Sequence, residues 1–173
     1  MSAHNHGSKS RSNMYSEDRL TNWSEFDPAW AEVQAVYKRF DHRISRNPNF
    51  PKIIALPTME GFLRCCSPEQ VETKLRQISP EFIEGLRAVF ILGGTQKQLK
   101  SWGSGVTTYG HYWRSCVFLH ACPAGSGRYS LTESRTFFIS DVLVHEIGHH
   151  VDKRHTTTKE RERFAEAFAK QNA

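Results

Sequence analysis

The stretch Ser140-Asp-Val-Leu-Val-His-Glu-Ile-Gly-His-His-Val-Asp152 holds the residues best suited to chemistry. On an α-helix, at about 100° per residue, His145, Glu146 and His149 fall within about 100° of one another. Leu143, Val144, Ile147 and Val151 gather on the opposite side, so one face suits a core and the other a reactive surface. Histidines four apart lie one turn over another, close enough for both imidazoles to reach a single tetrahedral zinc ion. Glu146 follows His145 directly and can sit beside such an ion without binding it. It is then placed to take a proton from a water whose pKa the metal lowers to about 7, and to return that proton to a leaving amine. Gly148 has no side chain, which allows another element to approach this helix closely. Burying two histidines and a glutamate with no such task would be costly, and this favours a metal over a pair of satisfied core histidines.

The run VLVHEIGHHVD, followed by ERFAEAFA, resembles the zincin metallopeptidases, and among them the gluzincins, which take a third ligand from a glutamate on a later helix. The resemblance implies His145 and His149 as ligands, Glu146 as general base and a helix-borne glutamate completing the site. It covers the C-terminal stretch well and the strands before it only loosely. Three residues compete for the third position. Glu166 is favoured, because its setting in Phe164-Ala-Glu-Ala-Phe168 suggests an inward carboxylate that a cation would relieve. Glu162, one turn earlier between Arg161 and Arg163, reads as solvated. His155 fits the metzincin spacing HExxHxxGxxH, with Asp152 where that pattern has glycine, but methionine occurs only at positions 1, 14 and 59, so the methionine turn of that group is missing.

Asp152 reads either as a hydrogen-bond partner of a ligand histidine or as an ordinary helix-end aspartate, and His150 points away from the metal face. Tyr109 and Tyr112 are candidates for steadying an oxyanion or holding substrate. With His111 they precede Cys116–Leu119, the strand that in zincins would pair with an extended peptide. Core or surface packing is the stronger account of each of these three, and although Trp102 and Trp113 could line a pocket, tryptophans in a globular domain need no special function.

The elements that must position these groups are legible upstream. Asp27-Pro28 reads as a cap and first helical residue, with Trp30, Val33, Val36, Tyr37 and Phe40 at helical spacing and an end near Ser45. A short extended piece is expected at Ile53–Leu56. Ser67-Pro68 and Ser79-Pro80 start two further helices, the second running through Leu86. Ala88–Leu92 is a continuous apolar run stopped by Gly93-Gly94, the pattern of a buried strand. Residues 95–105 read as a short helix or loop, and Val106–Tyr109 as extended. Cys116–Leu119 is a second strand, closed by Pro123 and the turn at 125–127.

A chain of 173 residues makes one domain the default. Residues 1–22 are polar and charged and are expected to be a disordered tail, in which His4 and His6 have no rigid support; residues 23–173 form the domain. No apolar run approaches the roughly 20 residues of a membrane span, and no apolar segment follows the basic N-terminus as a secretory signal requires, so a soluble, cytoplasmic protein with no membrane partner is expected. The four cysteines form no CxxC pair and read as free thiols, with a Cys116 to Cys122 bridge as the minority case. The net charge of +5 and pI near 9.1 invite a nucleic-acid reading. Lys38, Arg39, Arg43 and Arg46 lie along one helix and its end, however, and Lys153, Arg154, Lys159, Arg161 and Arg163 are mixed with Glu160 and Glu162, which suits a solvated surface better.

Together these readings give an α+β, zincin-like fold: a small twisted mixed sheet packed on the HExxH helix, with a C-terminal helix completing the metal site. Zn2+ is the expected cofactor, a peptide or protein the expected partner, and peptide-bond hydrolysis through a metal-activated water the expected reaction. Two alternatives belong to other classes. One is an idle zincin fold acting as a binding or regulatory module, which intact His145, Glu146 and His149 argue against. The other is a basic nucleic-acid-binding protein with a structural metal, which would want four protein ligands rather than an open position.

Overall fold

In the computed structural model the described residues are 27–101, 108–125 and 135–173. The expected tail, with His4 and His6, lies outside them, as do Trp102, Val106 and the glycine of the turn at 127. Helix α1 (Pro28–Phe40) begins as its sequence dictates: the Asp27 side chain accepts a hydrogen bond from the Ala29 N–H, and Pro28 fills the first position. It ends earlier than its apolar spacing suggests, passing at Asp41–Arg43 into a 3-10 turn. Strand β1 (Lys52–Ala55) and the two-residue strand β2 (Phe62–Leu63) follow. Helix α2 (Pro68–Gln77) carries a full capping box between Ser67 and Gln70. Helix α3 (Pro80–Ile83) is a single turn, shorter than the expected run to Leu86. Strand β3 (Ala88–Ile91), helix α4 (Gln96–Ser101), β4 (Gly110–Trp113), β5 (Cys116–Leu119) and β6 (Cys122–Pro123) complete the middle of the chain. Of the extended piece expected at Val106–Tyr109, residues 106 and 107 lie outside the described residues, Thr108 and Tyr109 are not in a strand, and β4 starts only at Gly110.

The fold is α+β with a small mixed sheet. Four strands lie in the order β1-β3-β5-β4, with β1, β3 and β5 parallel and β4 antiparallel to β5; β2 and β6 form a separate antiparallel pair. Cys116–Leu119 is thus an interior strand, and the edges of the sheet are β1 and β4, a correction to the sequence expectation. Every residue of β3 and β5 is fully buried, which explains their unbroken apolar character: helices cover both faces. Val89, Ile91, Val117 and Leu119 face a core shared with α2 and the C-terminal helices, while Ala88, Phe90, Cys116 and Phe118 face α1 through Trp30, Val33 and Tyr37. All four cysteines are free thiols, and burial pushes Cys116 up to about 12 and Cys122 up to about 11, so neither is an active nucleophile.

Phe138–Leu143 is wound as a π-helix and runs directly into α5 (Val144–Val151), the helix of the histidine motif. Such wide turns are uncommon and concentrate at functional sites. The chain then turns back into α6 (Thr158–Asn172), capped by Thr157. Among the described residues no helix is long and apolar enough to cross a membrane.

Candidate metal centre

Helix α5 projects His145 and His149 from one side, and α6 brings Glu162 across to meet them. These three side chains form a group that could hold a metal ion, their ligand atoms all within 4.8 Å of one another. The Nε2 atoms of His145 and His149 are 3.2 Å apart. Glu162 places Oε2 3.4 Å from His145 Nε2 and Oε1 3.2 Å from His149 Nε2, yet among the described residues neither carboxylate oxygen makes a hydrogen bond although both are buried. Gly148 permits the approach: a Cβ there would stand 2.8 Å from the Ala165 Cα of α6. The close packing expected at Gly148 is therefore present, and its partner is the helix that carries the carboxylate.

Glu146 lies beside this group on the strand side. Both its oxygens are buried without a hydrogen-bond partner among the described residues, and the residue is 0% exposed. The edge strand closes over it at Gly110, where a Cβ would come within 3.0 Å of Glu146 Oε1 and 2.6 Å of Val142 Cγ1. Burial raises the Glu146 pKa, against the pull of the two histidines. Burial also works to raise Glu162, but His145 and His149 outweigh it and leave that carboxyl lowered. At His145 burial favours the neutral ring, and the carboxylates of Glu162 and Glu146 overcome it, so its pKa is raised.

No protein-family model, curated protein or solved structure matches the chain.

The other residues singled out in the sequence are distributed as follows. Glu166 is exposed, not turned inward, and Glu162, expected to be solvated, is the fully buried one. His155 is drawn away from the group: its Nδ1 lies 3.0 Å from Asp152 Oδ1, which also accepts the N–H groups of Arg154 and His155. Asp152 thus serves the turn after α5 rather than a motif histidine. Tyr109 packs edge-on against Phe137 and Phe138. Tyr112 meets His150, whose Nε2 donates to the Glu84 carbonyl at 2.8 Å; its Nδ1 therefore accepts from the Tyr112 hydroxyl at 3.1 Å. His150, to which the sequence assigned nothing, is buried and ties the edge strand to the motif helix.

A second buried cluster gave no sequence signal. Gln98 Oε1 accepts from the Thr95 N–H, so its amide nitrogen donates to His120 Nδ1 at 3.2 Å. His120 then carries its proton on Nε2 and donates to His111 Nδ1 at 2.8 Å. Glu32 accepts from the Gly94 N–H with one oxygen and places the other 3.6 Å from His120 Nδ1. The four residues come from α1, α4, β4 and the end of β5, and only their convergence in space reveals them.

Proposed function

We propose that this protein is a zincin-like metallopeptidase that hydrolyses peptide bonds, with zinc held by His145, His149 and Glu162 and with Glu146 as general base. One observation carries the reading. Two ligand atoms, each about 2.0–2.1 Å from a tetrahedral zinc ion, stand about 3.4 Å apart; here the two Nε2 atoms are 3.2 Å apart, and Glu162 turns one oxygen to each ring, Oε2 at 3.4 Å from His145 and Oε1 at 3.2 Å from His149. The donor set fits as well: two imidazole nitrogens and one carboxylate are what zinc accepts in a catalytic site, with a fourth position left for water. Two buried Glu162 oxygens that make no hydrogen bond are costly unless a cation satisfies them.

A zinc ion there supplies Lewis acidity, which brings the pKa of water at the site to about 7 and polarises a substrate carbonyl. The chain's own residues do the rest. Glu146, whose two buried oxygens make no hydrogen bond among the described residues, takes the proton of the attacking water and delivers it to the departing amine. Gly110 keeps the edge strand against that carboxylate and so limits the positions it can adopt. β4 is an outer strand of the sheet among the described residues, the position at which an extended peptide can add to a sheet.

The test is the Glu146→Gln substitution in zinc-loaded protein presented with a mixed peptide library. Zinc content should stay as in the wild type while turnover falls by about 10²–10⁴-fold. Undiminished turnover would remove Glu146 from its role, and no turnover by the wild-type protein on any peptide would remove the peptidase reading.

A further inference from the structure

At the C-terminal end of α5 lies a cavity of about 370 Å³ that opens from His149. Arg114, Lys153 and Arg161 line it, together with Trp113 and Asp152. The three cations come from three separate elements: the β4–β5 turn, the segment after α5, and α6 one residue before Glu162. That arrangement differs from a solvated helix face, where like charges share one element. Asp152 is the one acidic residue in the lining; its Oδ1 accepts two N–H groups and meets the His155 ring, while its buried Oδ2 makes no hydrogen bond among the described residues, so one carboxylate stands against three cations. The walls therefore carry an excess of positive charge beside the proposed zinc ligand.

The turn adds a second, independent observation. β4 and β5 are joined through Arg114 and Ser115, with Trp113 paired to Cys116, and both turn residues have positive φ, 50° and 58°. Two-residue hairpins of this kind favour Asn-Gly, and a side chain in the left-handed region costs about 1 kcal/mol or more at each position. Glycine at position 114 would relieve that cost but carry no charge. The Arg114 guanidinium stacks 4.6 Å from the Trp113 ring and 5.4 Å from Tyr37, and among the described residues it makes no hydrogen bond or ion pair. Stacking of this kind orients the planar fork while leaving its N–H groups for a carboxylate. Lys153 likewise has no hydrogen-bonding or ionic partner among the described residues.

We propose that this cavity is a substrate subsite for a carboxylate, contributed by an Asp or Glu side chain or by the free C-terminus of a peptide, and that it makes acidic peptides the preferred substrates; this rests on the peptidase reading above. A carboxylate held by charge-assisted hydrogen bonds from an arginine, with a lysine nearby, gains about tenfold or more in affinity over the neutral amide.

The experiment uses zinc-loaded Glu146→Gln protein, which requires no turnover, and dansyl-labelled octapeptides. Each peptide carries Glu or Gln at one scanned position and ends in either a free carboxylate or an amide. Fluorescence anisotropy is expected to show about tenfold tighter binding of a carboxylate peptide than of its amide counterpart, and the responding position or terminus identifies the source. The preference should shrink with added salt and disappear in Arg114→Gly, whose thermal midpoint should stay level or rise because the turn is relieved. Lys153→Ala, at an exposed position, should reduce it. Equal binding of Glu and Gln peptides, no binding of either, or a preference untouched by both substitutions would overturn the subsite. A single-stranded oligonucleotide that displaces the peptide while Glu and Gln peptides bind alike would overturn it in favour of a nucleic acid. The two readings fail separately: selective binding with no cleavage by the wild-type protein leaves the subsite and removes the peptidase, whereas cleavage without acidic preference does the reverse.

Discussion

Two buried clusters of histidine and glutamate sit on opposite faces of the same sheet, and they are built differently. On the α5 side, His145, His149 and Glu162 turn their ligand atoms toward one point, and the carboxylate accepts no hydrogen bond. On the α1 side, Gln98, His120 and His111 are strung in line, each passing a hydrogen bond to the next. Lone pairs that converge can be satisfied together by one cation. Lone pairs in series need only a consistent choice of tautomers. Residue type alone does not separate a metal centre from a structural network; direction does.

That contrast can be broken most sharply through zinc affinity. His149→Ala should weaken zinc binding by at least about a hundredfold, since changes to groups that merely support a ligand already cost ten- to a hundredfold. His120→Gln, in the serial cluster, should leave zinc binding within about twofold. Competition with a chromophoric chelator reads both, and equal losses would erase the distinction.

A smaller effect comes from the contact that joins α5 to α6. Gly148→Ala introduces a Cβ that would stand 2.8 Å from backbone at Ala165, and overpacking of this kind costs about 1–3 kcal/mol. Because α6 carries Glu162, chemical denaturation and zinc titration should report losses in stability and affinity together. Loss of stability with unchanged affinity would mean that the helices can part without moving the carboxylate.

The smallest effect sharpens the serial cluster. Burial, aided by His120 alongside, holds the His111 pKa well below its ordinary value of 6.5. Below that value the unfolded chain binds a proton that the folded protein refuses. The stability that depends on neutral His111 is therefore complete above the ordinary value and falls as the pH drops beneath it, by up to about 1.4 kcal/mol per pH unit until the folded-state pKa is reached. His111→Gln should flatten this acid slope measurably in zinc-loaded protein. An unchanged slope in urea titrations across this range would place the acid sensitivity elsewhere.

Much of this arrangement could be read from the chain. The caps at Asp27 and Ser67 and the unbroken apolar runs of β3 and β5 are local patterns with local causes, and the structure carries them. The pair β2 and β6 escaped because two residues hold no periodicity. Glu162 and Glu166 show where local reading stops. The buried positions on α6 are Glu162, Ala165, Phe168 and Ala169; on a helical wheel starting from Glu162 they fall at about 0°, 300°, 240° and 340°, with Glu166 at about 40°. The apolar neighbours of Glu166 thus belong to a face from which it is rotated away. What decides the choice is the tertiary approach of Gly148 to Ala165, which leaves Glu162 one turn earlier and opposite the histidines. The cluster of Gln98, His120 and His111 has no sequence pattern for a similar reason: His111 stands out only beside Tyr109 and Tyr112, and its partners meet it only after α1, α4 and two strands have packed.

The central claim is that Glu162, and not Glu166, completes a zinc site with His145 and His149. Zinc content after equilibrium dialysis, measured by mass spectrometry for the wild type, Glu162→Gln and Glu166→Gln, tests it directly. The account predicts one equivalent retained by the wild type and by Glu166→Gln, with Glu162→Gln losing its metal at the same free zinc. Full retention by Glu162→Gln, or loss confined to Glu166→Gln, would contradict it.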